Sequence, residues 1–338
     1  MLNENLLNKF DGKKILITGG TGSLGQALTK RLLKTNVDTI RIFSRNENKQ
    51  VMMNETFQDE RLRFFVGDIR DLPRLIRAME DVDIVFHTAA LKHVPVVEYN
   101  SFEAIKTNVI GSQNVIDACI HEDVSTAVAI GTDKAVSPLN TYGATKLLME
   151  KLFVTANTWS SPKKHSTKFL AVRYGNVLGS SGSVVPRFIQ QIKNKEKITI
   201  TDPNMTRFSI TMEEALDFIL DCSMAGKGSE IFVPKLEAYT INELKESIFE
   251  LLENTGEEVI GIRGGEKIHE TLINEDEMRY AWELGEKYIV FSPLYSEEKI
   301  RQLHPGIKKV NSTKSYSSSD VKKISKEELK KTISKYFL

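Results

Sequence analysis

The sequence predicts an α/β fold built on a doubly wound parallel sheet, and three observations support this prediction. Apolar runs of strand length alternate with segments of helical period six times before about residue 180. The first run, KILIT, breaks into the glycine-rich turn GGTGSLG, which a helical segment follows. Polar clusters follow the later runs, where the carboxyl ends of parallel strands meet and where such sheets bind ligands. Strand and helix in alternation imply right-handed crossovers.

The glycine turn follows the first strand directly and opens a helix near Ser23. Its glycines are three apart, which lets the backbone approach a pyrophosphate, and the helix start supplies N–H groups and a positive dipole end. We therefore predict a nucleotide cofactor here; the alternative is a tight turn without a ligand. The residues assigned to it are Gly19, Thr21, Gly22, Ser23, Leu24 and Gly25.

The second predicted strand, TIRIFS, ends in Ser44, Arg45 and Asn46, with Lys49 one turn beyond. An NAD enzyme usually places an acidic residue at this distance from the glycines, and none is present. Arg45 could pair with a 2′-phosphate, so NADP is favoured over NAD. The alternative is an ordinary surface arginine at a strand end.

Further cofactor contacts are expected at the ends of the third, fourth and sixth strands, in LRFFVGDIRD, DIVFHTAALKHVP and KFLAVRYGNVLG. Small residues after the fourth strand leave room for the cofactor to cross the sheet edge. Thr107 and Asn108 lie inside a long helical stretch that we expect to pack on the sheet. The residues assigned are Asp68, Ile69, Ala89, Ala90, Lys92, Thr107 and Val177.

The fifth strand, STAVAIGT, leads into TDKAVSPLNTYGATK, in which Tyr142 and Lys146 are four residues apart. On a helix this spacing places both on one face, where the ammonium of Lys146 could lower the phenol pKa from about 10 towards working pH. Tyr142 is then a candidate base for a substrate hydroxyl group. Thr132, Asp133 and Lys134 precede it by about ten residues.

After about Gly179 the pattern changes to a glycine and serine loop, short strands and amphipathic helices, one of them with Thr211 as its cap. We predict two domains, residues 1–180 for NADP and residues 181–338 for substrate, with parts of the second packing back on the first. Arg207 and Arg263 are candidates for binding a diphosphate, because guanidinium groups bind phosphate in a bidentate manner. The alternative for each is a surface salt bridge.

Composition excludes several classes of function. The formal net charge is +1, which gives no field for nucleic acid or an anionic membrane. Cys119 and Cys222 lack metal-like spacing and are expected to be core thiols in a reducing compartment. No apolar stretch approaches the ~20 residues of a membrane span, and no signal peptide is evident. We therefore expect a soluble cytoplasmic protein without a metal site.

The turn TGGTGSLG, the segment from Thr132 to Lys146 and the strand pattern resemble the extended short-chain dehydrogenase/reductases over the whole chain. Within them, TDKAVSPLNTYGATK, RYGNVLGSSGSVVPRF, ITDPNMTRF and RGGEKIHE resemble the inverting UDP-N-acetylglucosamine 4,6-dehydratases of pseudaminic acid synthesis and related polysaccharide pathways. The pair Asp133-Lys134 replaces the Asp-Glu pair of the retaining enzymes. A capsular branch carries methionine in place of Tyr142, which favours the flagellar branch, while the C-terminal tail leaves the choice open.

The resemblance implies a mechanism in which Tyr142, with Lys146 and Thr132, takes the proton of the sugar 4-hydroxyl. Lys134 is then the expected base for carbon 5 if Lys146 and the nicotinamide depress its pKa. Asp133 is the expected acid for the leaving hydroxyl, although the same cations favour its ionised form, so the division of roles stays open. A homo-oligomer, often a hexamer, is also implied. The implied UDP-sugar contacts are Lys92, Asn176, Val185, Thr199, Arg207, Arg263 and Glu266.

Two other functions compete with this interpretation. A UDP-hexose 4-epimerase needs the tyrosine and lysine but no acid and base at positions 133 and 134. A non-catalytic NADP-binding scaffold needs none of them, and the intact set from Thr132 to Lys146 argues against it.

Overall fold

The computed structural model describes residues 4–159, 165–179 and 183–338. The strands are β1 (Lys14–Thr18), β2 (Thr39–Ser44), β3 (Leu62–Val66), β4 (Ile84–His87), β5 (Thr126–Ile130), β6 (Lys168–Val172), β7 (Ile198–Ile200), β8 (Thr206–Phe208), β9 (Glu230–Pro234), β10 (Ala238–Thr240), β11 (Glu257–Val259), β12 (Thr271–Ile273), β13 (Ala281–Leu284), β14 (Lys287–Phe291), β15 (Lys308–Lys309) and β16 (Tyr316–Ser317).

The α-helices are α1 (Glu4–Leu7), α2 (Ser23–Leu32), α3 (Glu47–Phe57), α4 (Leu72–Met79), α5 (Val94–Tyr99), α6 (Ser101–Ala104), α7 (Gly111–His121), α8 (Thr141–Trp159), α9 (Val184–Lys193), α10 (Met212–Ala225), α11 (Ile241–Leu251), α12 (Glu275–Met278), α13 (Glu297–Leu303) and α14 (Lys326–Phe337). A π-helical stretch, Ile105–Ile110, joins α6 to α7, and 3₁₀ turns occupy Asn8–Phe10 and Asp133–Ala135.

The large sheet has ten strands in the order β15-β13-β14-β9-β6-β5-β4-β1-β2-β3. The strands β1 to β6 pair in parallel, which confirms the predicted doubly wound sheet. The predicted strands KILIT and TIRIFS coincide with β1 and β2. Chain order reverses between β1 and β4, so the crevice that binds ligands in such sheets opens beyond their carboxyl ends.

The second half of the chain extends this sheet as well as forming a smaller unit. Strand β9 adds in parallel to β6, and the antiparallel strands β14, β13 and β15 follow it. The smaller unit contains the pairs β7 with β11 and β8 with β10, and its apolar core joins α9, α11 and α14. The boundary between 180 and 181 stays a prediction, since residues on both sides of it contribute to one sheet.

Local signals account for the helix starts near the site. Thr211 and Glu214 form a capping box at the start of α10, as expected from the sequence. The predicted glycine and serine loop falls partly on residues 180–182, which lie outside the described residues, and α9 begins at Val184.

Among the described residues, no helix is long and apolar enough to cross a membrane. Within the same ranges no group of three or more metal-ligating side chains occurs.

Candidate active site

The glycine turn lies between β1 and α2, beside the loop that follows β4. A Cβ on Gly25 would lie 2.5 Å from the backbone of Gly20, so only glycine allows α2 to pack this closely on the turn. Gly22 is the N-cap of α2 and provides no side-chain cap, which leaves the first N–H groups of the helix for a phosphate. The backbone around Gly19 touches Ala89 at the end of β4. This arrangement fits a dinucleotide at the predicted position.

The residues at the ends of β2 and β3 form a partly charged rim. Arg45 is 56 % exposed, and its Nη1 lies 3.9 Å from Oδ2 of Asp68. Burial opposes the ionisation of Asp68, but hydrogen bonds from Arg70, the shortest at 2.7 Å, hold its pKa below the ordinary value. Asn46 caps α3 by accepting from the backbone N–H of Lys49 at 2.9 Å. Ser44 is buried and accepts from Gln50 at 3.0 Å.

Three apolar residues assigned to ligands are part of the core. Ile69 is 4 % exposed, and a Cβ on Gly111 would meet its side chain. Val177 is 8 % exposed and forms a bridge with Ile210, and Val185 is fully buried in α9. Their side chains are packed into the core, and their assignment to cofactor or substrate stays a prediction.

The π-helical stretch positions the loop that carries Lys92. Asn108 accepts from the backbone N–H of Leu91 at 2.8 Å and donates to its carbonyl at 2.9 Å. It also donates to Thr145 on α8 at 3.0 Å. Thr107 beside it is buried, whereas Lys92 is exposed. The sequence indicated only that Asn108 is a polar residue of a packed helix. Its hydrogen bonds join this loop to α8, and its partners are distant in the sequence.

Thr132, Asp133 and Lys134 lie on the 3₁₀ turn that follows β5. Oδ1 of Asp133 accepts from the Thr132 hydroxyl at 2.7 Å, from the Lys134 N–H at 2.9 Å and from Lys134 Nζ at 3.1 Å. Nζ of Lys134 also donates to Oδ1 of Asn176 at 3.0 Å, beyond β6. Asp133 is fully buried, and its Oδ2 has no hydrogen-bond partner in the described parts of the chain.

Helix α8 crosses directly over this turn. A Cβ on Gly143 would lie 2.1 Å from the carbonyl oxygen of Lys134, so a larger residue would push the helix away. Tyr142 precedes Gly143 and is thereby brought close enough to Lys134 and Asp133 for their charges to act on its phenol. The structure thus brings Tyr142 and the residues upstream of it into one site, as the sequence predicted; the requirement for Gly143 was not recognised.

The protonation of Lys134 differs from the expectation. Burial tends to lower the pKa of its ammonium, but the carboxylate of Asp133 outweighs it and raises the pKa well above the ordinary value, with smaller contributions from Glu270 and Tyr142 when they are ionised. The net shift is therefore opposite to the predicted one, in which Lys146 depresses this pKa. Lys134 is an ammonium paired with Asp133, whose pKa is lowered because Lys134 and Thr132 together outweigh the effect of burial.

The prediction that Lys146 lowers the phenol pKa of Tyr142 is also wrong. Burial raises the phenol pKa, and the groups that act to lower it are Lys134 and the hydroxyl of Thr132. Lys146 turns along α8 instead, with Nζ 3.0 Å from Sδ of Met149. Burial lowers the Lys146 pKa to about 8, against an opposing effect of Glu150.

The predicted substrate residues fall into two places. Arg207 is mostly buried and donates to the carbonyls of Thr206 at 2.7 Å and Ile268 at 3.1 Å, with Nε 3.5 Å from Oε1 of Glu270. It belongs to the surroundings of Asp133. These contacts replace the free bidentate fork that was expected of it.

Three of the other predicted substrate residues, Thr199, Arg263 and Glu266, lie around Arg187 of α9, whereas Asn176 lies beside Lys134 and Lys92 on the loop after β4. Arg263 lies 4.0 Å from Glu266, and Thr199 is hydrogen-bonded by Arg187 and, at 3.2 Å, by Gln191. Burial and the charge of Arg263 lower the Arg187 pKa. Arg187 was missed by the sequence analysis, although it lies in the quoted segment VVPRF on the polar face of α9. Two arginines this close favour a bound anion.

Comparison with known proteins agrees with the fold. Residues 15–292 match the family described as "Polysaccharide biosynthesis protein". An inverting UDP-N-acetylglucosamine 4,6-dehydratase from Campylobacter jejuni is 46 % identical over 92 % of this chain and 94 % of its own. A UDP-glucose 4-epimerase from Rickettsia felis is 40 % identical over 96 % of both chains.

Among solved structures, Pen from Bacillus thuringiensis superimposes with a TM-score of 0.88 and 40 % identity, covering 96 % of this chain and 98 % of its own. The matched family spans every strand from the glycine turn to β14 and therefore contains both halves of the site. The chain belongs to the polysaccharide biosynthesis protein family.

Proposed function

We propose that the protein is an NADP-dependent hydro-lyase that converts UDP-N-acetylglucosamine into UDP-2-acetamido-2,6-dideoxy-β-L-arabino-hex-4-ulose, with inversion at carbon 5. One observation carries the proposal. Asp133 and Lys134 form a mostly buried acid and base pair, with Nζ and Oδ1 3.1 Å apart, within electrostatic reach of Tyr142. Oxidation of a hydroxyl group needs only the tyrosine and the cofactor, whereas removal of water needs a second acid and base.

Tyr142 begins the reaction as the base for the sugar 4-hydroxyl. Bound NADP supplies the reversible hydride acceptor that this chemistry requires. Because burial raises the phenol pKa, the positive charge of Lys134 and the Thr132 hydroxyl are what favour the phenolate. The product of this step is a 4-ketone, which acidifies the proton on carbon 5.

Elimination then needs Lys134 as a free amine and Asp133 as a neutral acid. Transfer of one proton along the 3.1 Å Nζ–Oδ1 hydrogen bond produces both forms at once. Exclusion of water by a bound substrate favours such a neutral pair over an ion pair, because charges lose solvation in a low-dielectric site. Lys134 accepts the carbon 5 proton, Asp133 gives its proton to the departing oxygen, and water leaves. The cofactor held at the glycine turn would return the hydride to carbon 6, and a solvent-derived proton added to carbon 5 from the opposite face would complete the inversion.

The mass of the product tests the reaction. Incubation with UDP-N-acetylglucosamine is expected to give a nucleotide sugar lighter by one water, with solvent deuterium at carbon 5 when the reaction runs in deuterated water. The variant Lys134→Ala should bind NADP normally and release no water. An unchanged substrate mass with the wild-type protein, or a fully active Lys134→Ala variant, would contradict the proposal.

The 4-epimerase is the second candidate, because a relative of that name is 40 % identical over nearly the whole chain. An epimerase would return a product of unchanged mass, so the same measurement separates the two functions. An acid and base at positions 133 and 134 would then have no role in the chemistry.

The preference for NADP over NAD is supported by Arg45, an exposed cation at the end of β2 whose nearest carboxylate, Asp68, is 3.9 Å away. Arg45→Ala should weaken NADP binding by roughly tenfold or more and leave NAD binding unchanged, since a charge-assisted contact to phosphate contributes about 1.5–3 kcal/mol. Calorimetric titration with each cofactor measures this, and Lys30→Ala on exposed α2 surface is the control. An unaltered preference would contradict the assignment.

A homo-oligomer, of which the family resemblance suggests a hexamer, is supported by an exposed apolar surface on α5 and α6. Val96, Tyr99 and Phe102 are 58 %, 90 % and 64 % exposed. Apolar side chains clustered in this way commonly mark an interface. Light scattering of the wild type and of Tyr99→Glu tests it: the variant should dissociate, and a monomeric wild type would contradict the proposal.

A cytoplasmic location of the protein is supported by the two unpaired, buried thiols Cys119 and Cys222.

A further inference from the structure

A second carboxyl group, that of Glu270, lies beside the catalytic pair. Glu270 ends the quoted segment RGGEKIHE and is only 5 % exposed. Its segment runs along the turn that carries Asp133, since Lys267 donates to the carbonyl of Val136 and the following strand β12 packs against Asp133–Ala135. Arg173 fixes β12 further by donating to the carbonyl of Leu272 at 2.9 Å.

Each of the two carboxyl groups has one oxygen engaged and one without a partner. Oδ1 of Asp133 accepts three hydrogen bonds from Thr132 and Lys134, and Oε1 of Glu270 lies 3.5 Å from Nε of Arg207. Oδ2 of Asp133 and Oε2 of Glu270 are buried and lack a hydrogen-bond donor among the described residues. The charge of Asp133 opposes the ionisation of Glu270, and a hydrogen bond from a protonated Glu270 to Asp133 would give each free oxygen a partner.

Several charged or titratable groups surround Glu270 from the neighbouring elements. They are Asp133 and Lys134 on the 3₁₀ turn, Tyr142 on α8, Arg207 on β8, Tyr239 on β10, and Lys267 and His269 on its own segment. Burial, and after it the charge of Asp133, raise the pKa of Glu270, although Lys134, Arg207 and Lys267 oppose this. The Asp133 pKa is lowered at the same time. Of the two carboxyl groups, Glu270 is thus the one whose surroundings favour the protonated form.

We propose that Glu270 is a positioning residue that stays protonated and donates a hydrogen bond to Asp133. The inference rests on the proposed function, for which it explains how Lys134 can become a free amine. An ionised Glu270 would add a second negative charge beside Lys134 and hold its proton more firmly. A protonated Glu270 leaves one negative charge in the pair and stabilises the Asp133 carboxylate that forms when water departs.

Protons are neither gained nor lost by these three residues over the elimination step. Glu270 keeps its proton on Oε2 and shares it with Oδ2 of Asp133, and no electrons are transferred. Asp133 receives a proton from Lys134 through Oδ1 and passes it to the departing oxygen as the carbon–oxygen bond breaks. Lys134 regains a proton from carbon 5. The pair then returns to the ammonium and carboxylate forms seen in the structure.

Two substitutions of Glu270 separate this role from simple packing. Glu270→Gln keeps the shape, an acceptor for Arg207 and an N–H donor for Asp133, so its kcat should stay within about threefold of the wild type. Glu270→Met fills similar space without a donor and should lower kcat by roughly tenfold or more with little change in KM, because a buried acceptor is then left unsatisfied. Glu275→Gln, an exposed residue of α12, is the matched control.

Infrared spectroscopy gives a readout that does not depend on activity. The difference spectrum between the wild type and Glu270→Gln should contain the band of a protonated carboxyl group at neutral pH, and the Glu275→Gln difference should contain a carboxylate band instead. A carboxylate band for Glu270, or a Glu270→Gln variant as inactive as Glu270→Met, would overturn the inference. A wild-type protein that releases no water would contradict the proposed function, while the infrared result would still decide the state of Glu270.

Discussion

The buried ammonium group of Lys146 is predicted to destabilise the folded protein. Its side chain is 4 % exposed, and its Nζ contacts the sulfur of Met149, whereas the nearby Glu150 is already paired with Arg173 at 2.6 Å. Burial therefore lowers the Lys146 pKa from 10.5 to about 8. Replacing it by methionine removes the buried ammonium and keeps an unbranched side chain beside Met149.

The size and sign of the effect follow from this pKa. The change from 10.5 to about 8 corresponds to roughly 3 kcal/mol, at 1.36 kcal/mol for each pKa unit. Below pH 8 lysine is protonated in both folded and unfolded chains, and the folded state carries the whole cost. As pH rises from 8 to 10.5 the folded protein releases its proton first, so the wild type gains stability. Lys146→Met should exceed the wild type by about 3 kcal/mol near neutral pH, and the difference should shrink towards pH 10.5.

Urea unfolding of cofactor-free wild type and Lys146→Met, repeated from neutral pH to about pH 10, measures this difference. Titration of the other groups is common to both proteins and cancels in it. Lys151→Met replaces an exposed lysine of the same helix and should show neither the gain nor the pH dependence. A stability difference between the wild type and Lys146→Met that stays constant across this range would refute the reasoning. The variant should lose activity, as expected where stability is sacrificed for function.

Three further substitutions test how the site is held. Gly143→Ala should lower the free energy of unfolding by about 1–3 kcal/mol and lower kcat by at least tenfold, because the added methyl group would lie 2.1 Å from the Lys134 carbonyl oxygen. A variant that is both active and stable would contradict this close contact. Arg173→Met leaves the carboxylate of Glu150 buried without its cationic partner, so urea unfolding at neutral pH should show a free energy of unfolding lower by about 3–5 kcal/mol. This loss of stability should diminish in acid, because protonation removes the charge of Glu150. A loss that does not depend on pH would indicate a packing effect instead. Thr211→Ala removes the capping box of α10 and should cost about 1 kcal/mol by thermal unfolding, without a change in KM.

The sequence predicted the features that local patterns determine. The strands β1 to β6 follow from apolar runs bounded by turns, and the cap at Thr211 follows from a threonine three residues before a glutamate. The antiparallel strands β13 to β15 were not predicted, since they join the sheet only through the pairing of β14 with β9, a segment that is distant in the chain. A spacing of four placed Tyr142 and Lys146 on one helix, but it could not indicate that Lys146 turns towards Met149.

The protonation of Lys134 was beyond sequence reasoning for the same physical cause. It depends on burial, which no local pattern reveals, and on the backbone turn that brings the ammonium to 3.1 Å from the neighbouring Asp133 carboxylate. Arg187 was missed because one basic residue on the polar face of an amphipathic helix is normally a solvated surface group. Only its neighbours Thr199 and Arg263 distinguish it, and both belong to other elements.

These contacts suggest which part of the fold sets the reaction type. Strands β1 to β6 form the cofactor crevice, and helix α8 carries Tyr142; together they suffice for oxidation of a hydroxyl group. The segment before β12 adds Lys267 and Glu270 to the turn at Asp133, and Arg207 joins it from β8. Because Glu270 is the one of these groups that acts on Lys134, an Asp-Lys pair placed in the same turn of an oxidoreductase without it would lack the residue that we propose to position Asp133. Gain of water elimination should therefore require transfer of the 263–272 segment together with the pair.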